Sequence, residues 1–133
     1  MRTRILFAAA LTALALPALA EEFRVIVNAS NPVDGLSKDR AAELFLKKVT
    51  RWSSGQVVHV VEPAATSVRD AFYRKVAGKS PSAVKAYWNQ LIFSGRDVPP
   101  VSKTSDADVI AFVRSNPGAL GYVSESAELH GVK

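Results

Sequence analysis

The run Val57-Val58-His59-Val60-Val61 narrows most sharply what this chain can fold into. β-branched residues favour a pleated strand. Near-continuous apolar character, rather than alternation, suits a strand covered on both faces, as in a parallel sheet. Residues 23–28 (Phe-Arg-Val-Ile-Val-Asn) and 119–123 also read as strands. Helical patterns lie between them. Ser37 caps a helix whose apolar face holds Ala41, Leu44, Phe45 and Leu46, with Lys47 and Lys48 placed in its last turn. Thr66 or Ser67 caps a second helix through about residue 77, with Ala71, Phe72 and Val76 turned inward. Ser80-Pro81 starts a third, with Val84, Tyr87, Trp88, Leu91 and Ile92 as its apolar stripe. Ser105 caps a fourth over residues 106–114, with Asp106 and Asp108 at its positive end. Strands alternating with helices predict an α/β fold, a small, mostly parallel sheet flanked by helices. Right-handed crossovers then favour strand order 2-1-3, with the first strand central.

The N-terminus reads as a secretory signal over residues 1–20. Arg2 and Arg4 form a positive start, and an uncharged apolar stretch follows to Leu16. Pro17 breaks it, and Ala18-Leu19-Ala20 supplies small residues for cleavage. The stretch is too short for the roughly 20 apolar residues that span a bilayer. The expected mature product is a single α/β domain, residues 21–133, released to the periplasm without membrane insertion. Its 113 residues can build a real core. That core must hold the fold by itself, because the chain has no Cys.

Without Arg2 and Arg4, fifteen basic residues face twelve acidic ones, a net charge of +3. The basic residues are scattered, with no stripe interleaved with aromatics, so nucleic acid is not an expected partner. Two distant His and no Cys give no readable metal site. His59 reads as a structural residue within its strand, and His130 as solvated. No Gly-x-Ser-x-Gly elbow occurs, and Ser67 has no base nearby in sequence. No catalytic residue and no cofactor is therefore expected, and the chain is not read as an enzyme.

Three segments resemble the phosphate-binding proteins of bacterial ABC importers. The first is Leu36-Ser37 followed by Phe45, Lys48 and Trp52. The second runs from Val60-Val61 to Arg69 and Phe72, similar to that family's strand, anion loop and Arg-x-x-Phe helix start. The third, Asn116-Pro117-Gly118-Ala119-Leu120-Gly121-Tyr122-Val123, is similar to the family's "NPGAIGYV" almost letter for letter. The resemblance implies one lobe of a type 2 periplasmic binding protein, a fold in which two such lobes close on a ligand. It implies inorganic phosphate or another small anion as ligand and an ABC permease as partner; a sensor protein is the partner if the face that a lone lobe leaves open makes protein contacts.

The resemblance also implies where an anion would sit: at the end of the second strand and the start of the next helix, on Thr66, Ser67, Val68 and Arg69. Helix N-terminal amides, hydroxyls and a guanidinium can satisfy oxyanion oxygens. Two stretches depart from the family pattern. Glu62 stands where the family has Arg, and Thr66-Ser67-Val68 where it has Ser-Gly-Thr. At about 4 Å and an effective dielectric of about 20, each unit charge beside an anion is worth roughly 4 kcal/mol, so this reversal weakens the family's own geometry. The same residues also read as an ordinary helix start, with Arg69 paired to Glu62 or Asp70. Asn28 and Ser30, after the first strand, could donate to the same ligand or could simply shape the turn. The alternative to a solute-binding module is a protein-interaction module, such as a homodimer that uses the face a lone lobe leaves open.

Overall fold

A computed structural model describes residues 22–133; the expected signal segment lies outside the described residues. The chain runs β1 (Phe23–Val27), α1 (Lys38–Phe45), β2 (His59–Pro63), α2 (Thr66–Phe72), a π-helical turn (Tyr73–Ala77), α3 (Pro81–Phe93), β3 (Val101–Lys103), α4 (Asp106–Ser115) and β4 (Ala119–Ser124).

The four strands form one sheet in the order β1-β4-β2-β3. β2 runs parallel to β3 and to β4, and β1 runs antiparallel to β4. The expected order 2-1-3 is thus corrected: the last strand is central, not the first. Burial explains the exchange. Ala119 to Val123 are all buried, whereas β1 exposes Arg24 and part of Val25. Gly121 allows close approach within the sheet, since a Cβ there would lie 2.8 Å from Val61 Cγ1 and 3.0 Å from the Val61 carbonyl oxygen. β1 is covered on its other side by the chain's last residues. The Val27 amide donates to the Lys133 carbonyl at 2.7 Å, and the Lys133 amide donates back at 3.0 Å. β3, three residues long and largely exposed, is an edge strand that its sequence did not signal.

Side chains alternate across the sheet and make two cores. Val27, Val60, Leu120 and Tyr122 face α1, α2 and α3. Ile26, Val61, Ala119 and Val123 face α4. The first core is aromatic at its centre: Phe72 stacks on Tyr122 at 3.9 Å between ring centroids, and Phe45 meets Phe72 edge-on at 4.5 Å.

Three of the helix starts follow the expected chemistry. Ser37, Ser80 and Ser105 each accept a backbone N–H from the first turn. α2 differs: Ala65 is its N-cap, it has no side-chain cap bond, and Thr66 is already helical. α1 also ends earlier than its pattern suggests. Leu46 is its C-cap and Lys47 takes a left-handed φ of 56°, so Lys47 and Lys48 follow the helix instead of forming its last turn. Lys47 pairs with Asp97 at 3.3 Å.

Candidate functional site

Parallel strands β2, β3 and β4 bring their carboxyl ends to one end of the sheet, where α2 and α4 begin. Open α/β sheets place ligands at such ends. The pleat decides what faces the cleft there. Val60 points into the aromatic core, so Glu62, two residues on, points the same way. It is 5% exposed, a carboxylate inside the protein. Its Oε2 accepts the Tyr73 hydroxyl at 2.8 Å and the Tyr122 hydroxyl at 3.1 Å. Its Oε1 faces Arg69 Nη1 at 4.0 Å, beyond hydrogen-bond reach.

These neighbours pull the carboxyl in opposite directions. Burial raises its pKa above the usual carboxylate range, and this outweighs the two phenols and Arg69, which favour the charged form. Burial, and next the Glu62 charge, push both phenols far above their ordinary value. Tyr73 and Tyr122 therefore stay protonated donors at any physiological pH.

Above Glu62 lies an open cavity of about 350 Å³ between α2, the π-helical turn and α3. Glu62, Arg69, Asp70 and Tyr73 line one side. Val84, Lys85, Trp88, Asn89 and Ile92 come from α3, and Pro81 and Pro99 complete the wall. Helical spacing explains the α3 contribution: residues 81, 84, 85, 88, 89 and 92 recur at three- and four-residue steps and share one face.

The expected site residues separate. Arg69 lines the cavity. Thr66 and Ser67 lie exposed at the start of α2, and Val68 is buried in the core. Asn28 and Ser30 lie toward the other end of the sheet, because β1 is antiparallel. Asn28 is level with Ala119 and His59, three residues, or about 10 Å, from Glu62 along the strands. Its side-chain amide donates to the Val113 and Arg114 carbonyls at 2.8 and 3.0 Å, satisfying the C-terminal end of α4. Its Oδ1 accepts the Ser30 amide and hydroxyl at 2.9 and 2.6 Å. These two residues shape a turn. His59 stands exposed at the start of β2, and not in the core.

The sequence pattern does not single out Tyr73, Lys85 or Asn89, gives Trp88 only a packing role on α3, and gives Tyr122 only a place in the 119–123 strand. The available signal was Glu62 itself: a carboxylate in a buried strand requires donors, and Tyr residues are the donors an apolar core can carry.

This architecture is the fold of the substrate-binding proteins of phosphate ABC transporters, present here over less than half of their length. A candidate substrate-binding protein of such a transporter from Clostridium perfringens, solved with phosphate bound, superposes with a TM-score of 0.64 at 20% identity, covering 85% of this chain and 43% of that one. An ABC-type phosphate transport receptor from Vibrio cholerae gives 0.62 at 19% identity, covering 85% and 44%. A candidate phosphate-binding protein from Planctomyces limnophilus gives 0.59 at 16% identity, covering 79% and 36%. No protein-family profile matches the chain, and no curated protein matches it. Among the described residues no helix is long and apolar enough to cross a membrane, and no group of three or more His, Cys, Asp or Glu could hold a metal ion.

Proposed function

We propose that the chain is a periplasmic solute-binding module of phosphate-importer type, delivered by a signal peptide at residues 1–20. Its ligand, phosphate or another small anion, occupies the cavity at the carboxyl end of β2 with its charge on Arg69. The observation that carries this reading is the cavity's position, at the carboxyl end of the three parallel strands, with a guanidinium on its wall. The fold likeness supports it, and so does the phosphate bound in the Clostridium protein. An ABC permease is the partner that this reading implies.

Calorimetric titration with phosphate, sulfate and small carboxylates tests the reading. Heat at millimolar ligand, lost in Arg69→Ala, is the expected result. Silence with every solute that carries an anionic group, amino acids included, overturns it.

A second reading has its own observation. Phe93 is 91% exposed at the end of α3, next to Ile92 at 49%. An apolar pair of this size on the surface suits a protein contact, including one with a second copy of this chain. Light scattering across a concentration series should then show self-association that Phe93→Ser removes. A monomer at every concentration argues against a homodimer.

A further inference from the structure

The geometry points to a zwitterion with an apolar body, such as a free aliphatic amino acid, as the ligand of this cavity. The inference deepens the solute-binding reading and rests on it: the cavity holds a solute whose anionic group lies on Arg69.

Three observations carry it. The first is the charge census. Arg69 and Lys85 face the space from α2 and α3, and Glu62 and Asp70 from β2 and α2. The balance is zero with both signs present. A simple anion gains from one pair of these groups and is repelled by the other. A molecule carrying both signs can satisfy both.

The second is the Glu62–Arg69 contact. At 4.0 Å the two ions attract but do not hydrogen-bond. Oε2 of Glu62 is already held by two phenols, whereas Oε1 turns toward Arg69. A ligand ammonium can donate to Oε1 while the adjoining carboxylate accepts the guanidinium N–H groups. Both are charge-assisted bonds, the stronger class.

The third is the opposite wall. Around Lys85 and Asn89, Pro81, Val84, Trp88, Ile92 and Pro99 offer hydrocarbon. An inorganic oxyanion presents oxygen on every side and would leave some of it facing that carbon. The volume of about 350 Å³ lies within the range of pockets for organic ligands. An aliphatic side chain would cover that wall.

The pH dependence separates the alternatives, because Glu62, Asp70, Arg69, Lys85 and the two phenols are the charged or titratable groups around the space. An ammonium needs ionised Glu62, so its binding strengthens as pH rises. A plain anion is helped when Glu62 takes up a proton, so its binding weakens.

The test is calorimetry of the purified protein at pH 5 and pH 8 with four probes: L-leucine, 4-methylpentanoate, 3-methylbutylamine and phosphate. Leucine should bind most tightly, and better at pH 8. The acid lacking the ammonium and the amine lacking the carboxylate should each be weaker by at least about ten-fold. Glu62→Gln should weaken leucine by a similar factor and leave 4-methylpentanoate unchanged or tighter, with a thermal melt to confirm that the variant folds. The wild-type comparison stands even if that variant does not fold. The inference is overturned if leucine gives no heat, or if phosphate or either truncated probe equals it. If phosphate or 4-methylpentanoate still binds, the broader anion-binding reading survives; if no probe binds, both fall.

Discussion

Glu62 sits in the cavity floor with two phenols donating to one of its oxygens. Burial still dominates, and its pKa is raised. The folded state therefore holds its proton to a higher pH than the unfolded chain does. Linkage fixes the sign: this group's contribution to stability is fully present below the ordinary carboxylate pKa and is lost as pH rises through the raised value. Inside that window the slope is about 1.4 kcal/mol per pH unit. Gln resembles the protonated form and can still accept from Tyr73 and Tyr122. Glu62→Gln should thus melt at a higher temperature than the wild type at pH 7, with the gap closing toward pH 4. A lower melting temperature at pH 7 would mean that the phenols and Arg69 outweigh burial.

At the scale of the elements, the helix starts give a controlled comparison. Ser80→Ala and Ser105→Ala each remove a side-chain cap and should lower stability by about 1 kcal/mol in urea unfolding. Thr66→Ala should change it by less than about 0.5 kcal/mol, because α2 starts without a side-chain cap bond. Gly121→Ala places a methyl group 2.8 Å from Val61 Cγ1 and 3.2 Å from Val113 Cγ2, and should cost about 1–3 kcal/mol by overpacking the centre of the sheet. Much of this level was legible beforehand. The Ser caps and Pro81 at the start of α3 are local patterns, and local patterns survive folding. The burial expected of residues 57–61 holds only for Val60 and Val61: Val57 and His59 are exposed, and the strand starts at His59 and runs on to Pro63. Strand order was not legible, because it depends on which strand tolerates burial on both sides and close approach. Gly121 carried that information only once Val61 was known to lie against it. β3 escaped notice because Val101-Ser102-Lys103 is short and its pairing with β2 is non-local. In the site, Arg69 was found from its motif, whereas the α3 wall required knowing which helix crosses the end of β2. Asn28 and Ser30 would fall beside Glu62 only in an all-parallel sheet, and β1 is antiparallel.

For the whole molecule, secretion is the first question. Intact-mass measurement of protein recovered from a periplasmic fraction should give a chain beginning at Glu21, and an uncut Met1 would remove the signal-peptide reading. The two cores lie on opposite faces of one sheet, so a lesion in either should unfold both together. Phe72→Ala, which strips the ring stacked on Tyr122, should cost about 3–5 kcal/mol and also release Glu62 from its setting. The pairing of Val27 with Lys133 has a practical consequence. Whatever is joined after Lys133 would leave from the rim of the sheet. Deleting Val132 and Lys133 would bare the backbone of β1 and invite strand-to-strand aggregation, which turbidity on storage would report.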